Sequence, residues 1–363
     1  MKQTDTLKTG EMFAILSILI ATRASDSTAS LFTQKTQNAF WYVPIISLLV
    51  ILPSLFLLFY LLKKYQDKNL IEMMETVLGG WGSKIIGLLI FFSAFLLMGL
   101  GNKSYVSQIK ILYFPEAPGI IIALIFFIVI YFSAKKGWHV IAFVSKILLP
   151  FFLLSAVVLI ALISNDIVVD RIFPIFGTGV QKVLWEGARK GALFHDVFLI
   201  TIAYTSFEKT TYFRKGLIWG LIFSITELIT FFFIYATTYD YNSIEKMSFP
   251  FHDLTQYVNF GSFLTNIETF FMVFWILASF IRFTIYLYII TWIFASLFHI
   301  KYIESLLLPI GFFNLIIGII PENVIMNELV FRDALLNYTT PIFISFPILL
   351  WIVALAKGDL KKR

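Results

Sequence analysis

Ala21-Thr-Arg-Ala-Ser-Asp-Ser27 and Arg189-Lys-Gly-Ala-Leu-Phe-His-Asp196 each set charges inside a run of apolar residues. The chain around them has 363 residues, 59% hydrophobic and 14% charged, whereas soluble domains average about 45–50% apolar and about 25% charged. Apolar runs of roughly 20 residues recur, the length that crosses a hydrocarbon layer of about 30 Å. Ten such runs start near Glu11, Trp41, Ser83, Pro118, Val140, Gly191, Tyr212, Ser262, Tyr302 and Asn337. The two polar stretches interrupt the first and the sixth, the leading helix of each five-span half. Broken helices at matching positions of two halves point to an inverted-repeat transporter, whose binding site lies mid-membrane where the helices unwind. The expectation is an all-α polytopic membrane protein of about ten spans in one transmembrane domain. Its repeats cover about 11–163 and 183–356, with a basic tail at 357–363.

The connections are short, the longest being about 164–182 and 238–261, and no low-complexity linker sets off a soluble domain. Residues 67–78 read as an amphipathic helix lying along the surface. Of the 28 Lys and Arg residues, sixteen fall in alternate loops on one side, Lys63, Lys64, Lys135 and Lys136 among them. Six fall on the other: Lys35, Lys110, Arg171, Lys182, Lys246 and Arg332. That bias puts both termini in the cytoplasm, which an even number of spans requires. It also accounts for the formal net charge of +6 without an acidic ligand or nucleic acid. Lys2 and Lys8 ahead of Met12–Ala21 imitate a cleaved signal peptide, but Asp5 and Glu11 spoil the basic region, so this run is read as the first span.

Several classes are excluded. With no cysteine there is no disulfide, thiolate metal site or cysteine nucleophile. There are only four histidines and no cluster of metal-ligand residues about them, so no metal is expected. Gly79-Gly-Trp-Gly82 has no strand before it and no Gly-Lys-Ser/Thr after it, and reads as a turn rather than a phosphate loop. No hydrolase triad, nucleotide motif or nucleic-acid patch is present.

Arg23 and Asp26 lie about a dozen residues into the first span, where an unpaired charge costs at least roughly 2.5–3.5 kcal/mol. Either Arg23 holds a ligand carboxylate and Asp26 an ammonium, which suits a zwitterionic amino acid, or Asp26 pairs with Arg23 or with Arg282 of the eighth span. Thr22, Ala24 and Ser25 complete the unwound stretch, whose freed backbone groups become ligand contacts. His195 and Asp196 occupy the corresponding depth of the sixth span and would read a polar ligand or relay a proton. If that span starts near Phe198 instead, both sit at the interface. Thr201 and Tyr204 are weaker candidates, because hydroxyls in spans often bond backbone. Lys146, a turn before Pro150, either supplies a fixed positive charge where sodium-coupled transporters hold an ion or snorkels to the surface. Glu227 and Glu268 stand between proton handling and pairing.

A set of stretches in order carries a family likeness: Gln37-Asn-Ala-Phe-Trp41, Leu78-Gly-Gly-Trp-Gly82, Tyr113-Phe-Pro-Glu-Ala-Pro118, Arg171-Ile-Phe-Pro174 with Gly177, Tyr212-Phe-Arg214, Glu268 with Trp275, and the basic tail. Over nearly its whole length the chain resembles the GerAB/GerKB spore germination proteins of the amino acid, polyamine and organocation transporter superfamily. The resemblance implies a five-plus-five inverted repeat (LeuT-like), located in the spore inner membrane and working with an A subunit and a C lipoprotein. It implies a sensor for a small nutrient, often an amino acid, with no enzymatic activity and no cofactor. Family members commonly have a glycine-rich break where this chain has Arg23-Ala-Ser-Asp26, and a glycine-containing one near His195. The charged pocket therefore either recognises a polar or zwitterionic nutrient or carries built-in ion pairs in place of ligand charges. An amino-acid transporter and a scaffold with a degenerate pocket are the competing expectations.

Overall fold

The computed structural model describes residues 6–257 and 267–360. Among them every regular element is helical, apart from one isolated bridge between Leu7 and Phe207. The first pass is α1 (Thr9–Ala21), a turn of 3-10 helix at Thr22–Ser25, and α2 (Thr28–Thr36). A 3-10 segment, Gln37–Tyr42, leads into α3 (Val43–Lys64). In α4 (Leu70–Tyr113) the expected surface helix and the third pass are joined. Asn69 starts it by accepting the amides of Ile71 and Glu72, each at 3.0 Å, while Glu72 accepts the Asn69 amide at 2.8 Å. The turn between the two parts falls at Gly79, whose φ of 77° favours a residue without Cβ.

The fourth and fifth passes are α5 (Gly119–Ala134) and α6 (Trp138–Ile163). The sixth consists of α7 (Val180–Arg189), a 3-10 break at Gly191–Phe194, α8 (Asp196–Leu199) and a further 3-10 run, Ile200–Ser206. After α9 (Thr210–Thr238) come two short helices, α10 (Tyr241–Ile244) and α11 (Pro250–Tyr257). The last passes are α12 (Ile267–Leu297), α13 (Glu304–Ile319), and a π-helical turn, Met326–Arg332, that runs into α14 (Asp333–Ala356). These helices group into ten passes among the described residues.

Two starts differ from the expectation. The sixth pass begins at Val180, not near Gly191, because α7 is amphipathic and carries Gln181, Lys182, Glu186 and Arg189 in place of an apolar run. The tenth begins at Met326, not near Asn337, because Asn327, Glu328, Arg332 and Asp333 hide its first turns from a hydropathy reading. The expected start of the eighth near Ser262 lies outside the described residues, as do Lys2, Asp5 and the last three residues of the tail.

Large apolar side chains such as Phe56, Phe132, Phe143, Leu154, Trp219 and Phe313 stand exposed around the bundle, a surface suited to lipid and not to water. Among the described residues, six helical stretches are individually long and apolar enough to cross a membrane. The protein is therefore a multi-pass integral membrane protein with a five-plus-five, broken-helix architecture. Inside the bundle α1 runs along α9 and α6, and α12 packs against α4, α5 and α6. The two breaks thus face each other near α12 and α14.

Candidate functional site

A helix that stops mid-bundle leaves carbonyls without partners. At the first break two tyrosines supply them: the Tyr105 hydroxyl donates to the Thr22 carbonyl at 2.9 Å and the Tyr235 hydroxyl to that of Ala24 at 2.8 Å. Ser25 also donates to the Thr22 carbonyl, at 2.7 Å. Asp26, extended at φ −95°, turns its carboxylate to the start of α2 and accepts the Thr28 amide at 2.8 Å and the Thr28 hydroxyl. At the second break Thr340 of α14 accepts the Ala192 amide and donates to the Arg189 carbonyl, each at 2.9 Å.

The two breaks meet through charge. Arg23 Nη2 lies 2.5 Å from Asp196 Oδ2, both side chains buried. The Tyr286 hydroxyl bonds Asp196 and stands 3.0 Å from His195 Nε2. Asp26 Oδ2 lies 2.9 Å from Arg332 Nη2 and 3.9 Å from Arg282 Nη1. Arg332 also donates to Thr28 Oγ1 at 2.7 Å and Glu328 Oε2 at 2.6 Å. Three arginines thus face three carboxylates, Asp26, Asp196 and Glu328. Buried charges persist only when paired and hydrogen-bonded, and here the partners are internal.

Arg23, Asp26, His195, Arg282, Tyr105, Tyr286 and Arg332 surround a cavity of about 20 Å³, room for about one water molecule. The centre is closed. A ligand the size of an amino acid enters only if the breaks separate.

Of the expected site residues, Arg23, Asp26, His195 and Arg282 line this cavity, and Asp196 joins it through Arg23. Asp26 pairs with Arg332 and stands near Arg282; Arg23 pairs with Asp196 and not with Asp26. His195 and Asp196 are each 1% exposed, so the interfacial placement is overturned: α7 supplies the half of the sixth pass that the later start left out. Thr22, Ala24 and Ser25 turn to a second pocket on the other side of the break. Thr201 donates to the Phe198 carbonyl and Tyr204 packs on Phe213, 5.1 Å between ring centres; neither lines the cavity.

Lys146 Nζ pairs with Glu11 at 2.8 Å, its side chain half exposed, at the start of α1. Glu227 borders the second pocket, and Glu268 stands in the first turn of α12. The sequence reading missed Arg332, Glu328, Tyr105 and Tyr286. Tyr286 follows Arg282 by four residues and Glu328 precedes Arg332 by four, spacings that share a helix face. Arg332 escapes such a reading because its polar neighbours place it among the loop cations.

Residues 6–324 match the family described as spore germination protein. The chain belongs to the spore germination protein family. Among relatives in Bacillus subtilis strain 168, it is 22% identical over 283 residues to the putative spore germination protein YfkT, covering 78% of this chain and 77% of the relative. It is 26% identical over 263 residues to spore germination protein KB, covering 69% and 68%. Among solved structures, Mhp1, a nucleobase-cation-symport-1 family transporter in a closed conformation with bromovinylhydantoin, superposes with a TM-score of 0.60 at 14% identity. That match covers 92% of this chain and 74% of Mhp1. The Eremococcus coleocola manganese transporter gives 0.53 at 10% identity, covering 94% and 78%. These likenesses establish the fold of this spore germination protein, which is that of membrane transporters.

Proposed function

We propose that this spore germination protein is the nutrient-sensing membrane subunit of a germinant receptor, and that it binds a small carboxylate-bearing nutrient, an amino acid by class, between its two helix breaks. The observation that supports this is the unfinished coordination of Arg282. Among the described residues its Nε has no hydrogen-bond partner, its Nη1 donates to the Tyr105 hydroxyl at 3.1 Å, and the nearest carboxylate, Asp26, is 3.9 Å away. A ligand carboxylate would complete it bidentately, with Arg23, whose Nε is also unpartnered, alongside. Asp26 and Asp196 would receive the ammonium, and the freed backbone at Thr22, Ala24 and Ser25 would follow the change in the break. Because the cavity is closed, the ligand binds a rarer open arrangement and shifts the population toward it. An A subunit and a C lipoprotein would read that shift in the spore inner membrane, with both termini cytoplasmic. Lys146 in this reading is a structural charge that ties α6 to the start of α1.

The test is germination of spores carrying D26N or R282Q against a panel of nutrients, with protein level followed by immunoblot. Loss of response or altered preference at normal abundance is expected; an unchanged response at both positions would sink the proposal. A second reading, an amino-acid permease, is favoured by the transporter fold itself. Accumulation of labelled nutrient in proteoliposomes would establish it, whereas saturable binding without uptake would leave the receptor.

A further inference from the structure

The first break has a second face. Thr22, Ala24 and Ser25 border a pocket of about 80 Å³ between α1, α6, α9, α11 and α12. By the measure that gives one water about 10–15 Å³, it accepts an organic molecule of about five or six heavy atoms. Its walls are mostly apolar, with the rings of Phe152, Phe231, Phe251, Phe274 and Trp275 among them. Three of its lining groups carry buried polar atoms with no hydrogen-bond partner among the described residues: Ser17 Oγ, Glu227 Oε2 and Trp275 Nε1. Ser17 is 0% and Trp275 6% exposed. An unpartnered polar atom in an apolar setting is costly. Three, from α1, α9 and α12, bordering one space, mark a site that a ligand completes.

We infer that this pocket binds a small apolar primary amine, with the ammonium on Glu227 and the alkyl body among the rings. The described residues that line it include one carboxylate and no lysine or arginine, so a cation is matched and a ligand carboxylate is not. Aromatic faces attract an ammonium and repel an anion. An amino acid would leave its own carboxylate unpaired here, which separates this pocket from the arginine-lined centre. Trp275 joins the two: its ring stacks on Tyr105, 5.3 Å between centres and 8° apart in plane, and Tyr105 bonds both the Thr22 carbonyl and Arg282. The inference stands whether or not the centre takes an amino acid, because it uses none of the arginines.

The test uses the full chain in lipid nanodiscs, with n-butylamine, n-butanol and butyrate as probes, followed by saturation-transfer NMR against empty nanodiscs. Butylamine is expected to bind saturably, at least ten-fold more tightly than butanol, with no butyrate binding. E227Q should weaken butylamine at least ten-fold at unchanged thermal stability, and E227D should retain part of the affinity. Equal affinity for butanol and butylamine in the unaltered protein would overturn the inference without recourse to any variant, and so would full affinity in folded E227Q or signal no greater than in empty nanodiscs.

Discussion

Arg332 and Asp333 are consecutive in the chain and each pairs with a different helix break. Arg332 Nη2 stands 2.9 Å from Asp26 in the first, and Asp333 Oδ1 stands 2.5 Å from Lys190 Nζ in the second. They sit where the π-helical turn passes into α14. Successive residues of a helix point about 100° apart, which lets one junction reach two elements. Span ten therefore acts as a latch between the halves: movement of either break relative to it must carry one pair along or break it.

Removing Arg332 should expose the latch. R332A leaves Asp26 and Glu328 buried with a shared cation lost, a change that costs about 3–5 kcal/mol, and should appear as a large fall in thermal stability or in folded yield. R332K keeps a charge but cannot reach Asp26, Thr28 and Glu328 with a planar fork. It should fold in better yield than R332A and still respond to nutrient more weakly than the unaltered protein, measured as spore germination rate at matched abundance.

The Arg23–Asp196 pair should be non-additive. R23M or D196L alone strands a buried charge, whereas the double replacement removes both, and such apolar substitutions of whole buried pairs are often neutral for stability. The expected result is two destabilised single variants and a double variant close to the unaltered Tm, but with no germination response. Additive losses, with the double variant as destabilised as the two single variants together, would show that the pair adds nothing to the junction.

How much of this was legible in the sequence follows from what hydropathy senses. The first break announced itself, because Arg23 and Asp26 stand inside an apolar run. Lys190 and Arg332 are just as buried as Arg23, at 1% and 5% exposed, yet each lies next to polar neighbours, so the same scale placed them at span ends or in loops. The π-helical turn has no sequence signature of its own. The likeness-bearing stretches Gln37–Trp41 and Arg171–Gly177 turned out to be docked on each other, Asn38 donating to the Arg171 and Phe173 carbonyls at 2.8 and 2.6 Å. Order along the chain gave no hint of that contact, which is a long-range pairing.

Lys146 should matter little to stability. The lysine side chain is half exposed while that of Glu11 is only 10% exposed, but Glu11 keeps the Lys8 amide at 3.0 Å when the lysine is lost, so the loss should stay near the roughly 0–1 kcal/mol of exposed pairs. K146M is expected to lower Tm by only a degree or two. It should not make the germination response depend on sodium over potassium; a response that becomes sodium-dependent would return the charge to the role of a fixed ion.

Gly177 should be intolerant of any side chain. It sits at φ 46°, and a Cβ there would stand 2.0 Å from the Thr36 carbonyl oxygen, at the end of α2. Backbone cannot yield as a flexible side chain does, so G177A must push the 171–178 loop off α2 and the 3-10 segment after it, where Thr178 bonds the Lys35 carbonyl and Asn38 and Tyr42 bond the loop's carbonyls. A cost of at least about 1–3 kcal/mol is expected from the overpacking, seen as a lower Tm and reduced abundance. G80A is the control: its new Cβ would find only the Glu75 side chain, 4.0 Å away, and Tm should stay within a degree or two. If G177A and G80A were equally stable, the close approach of Gly177 to the Thr36 carbonyl would not be what fixes this loop.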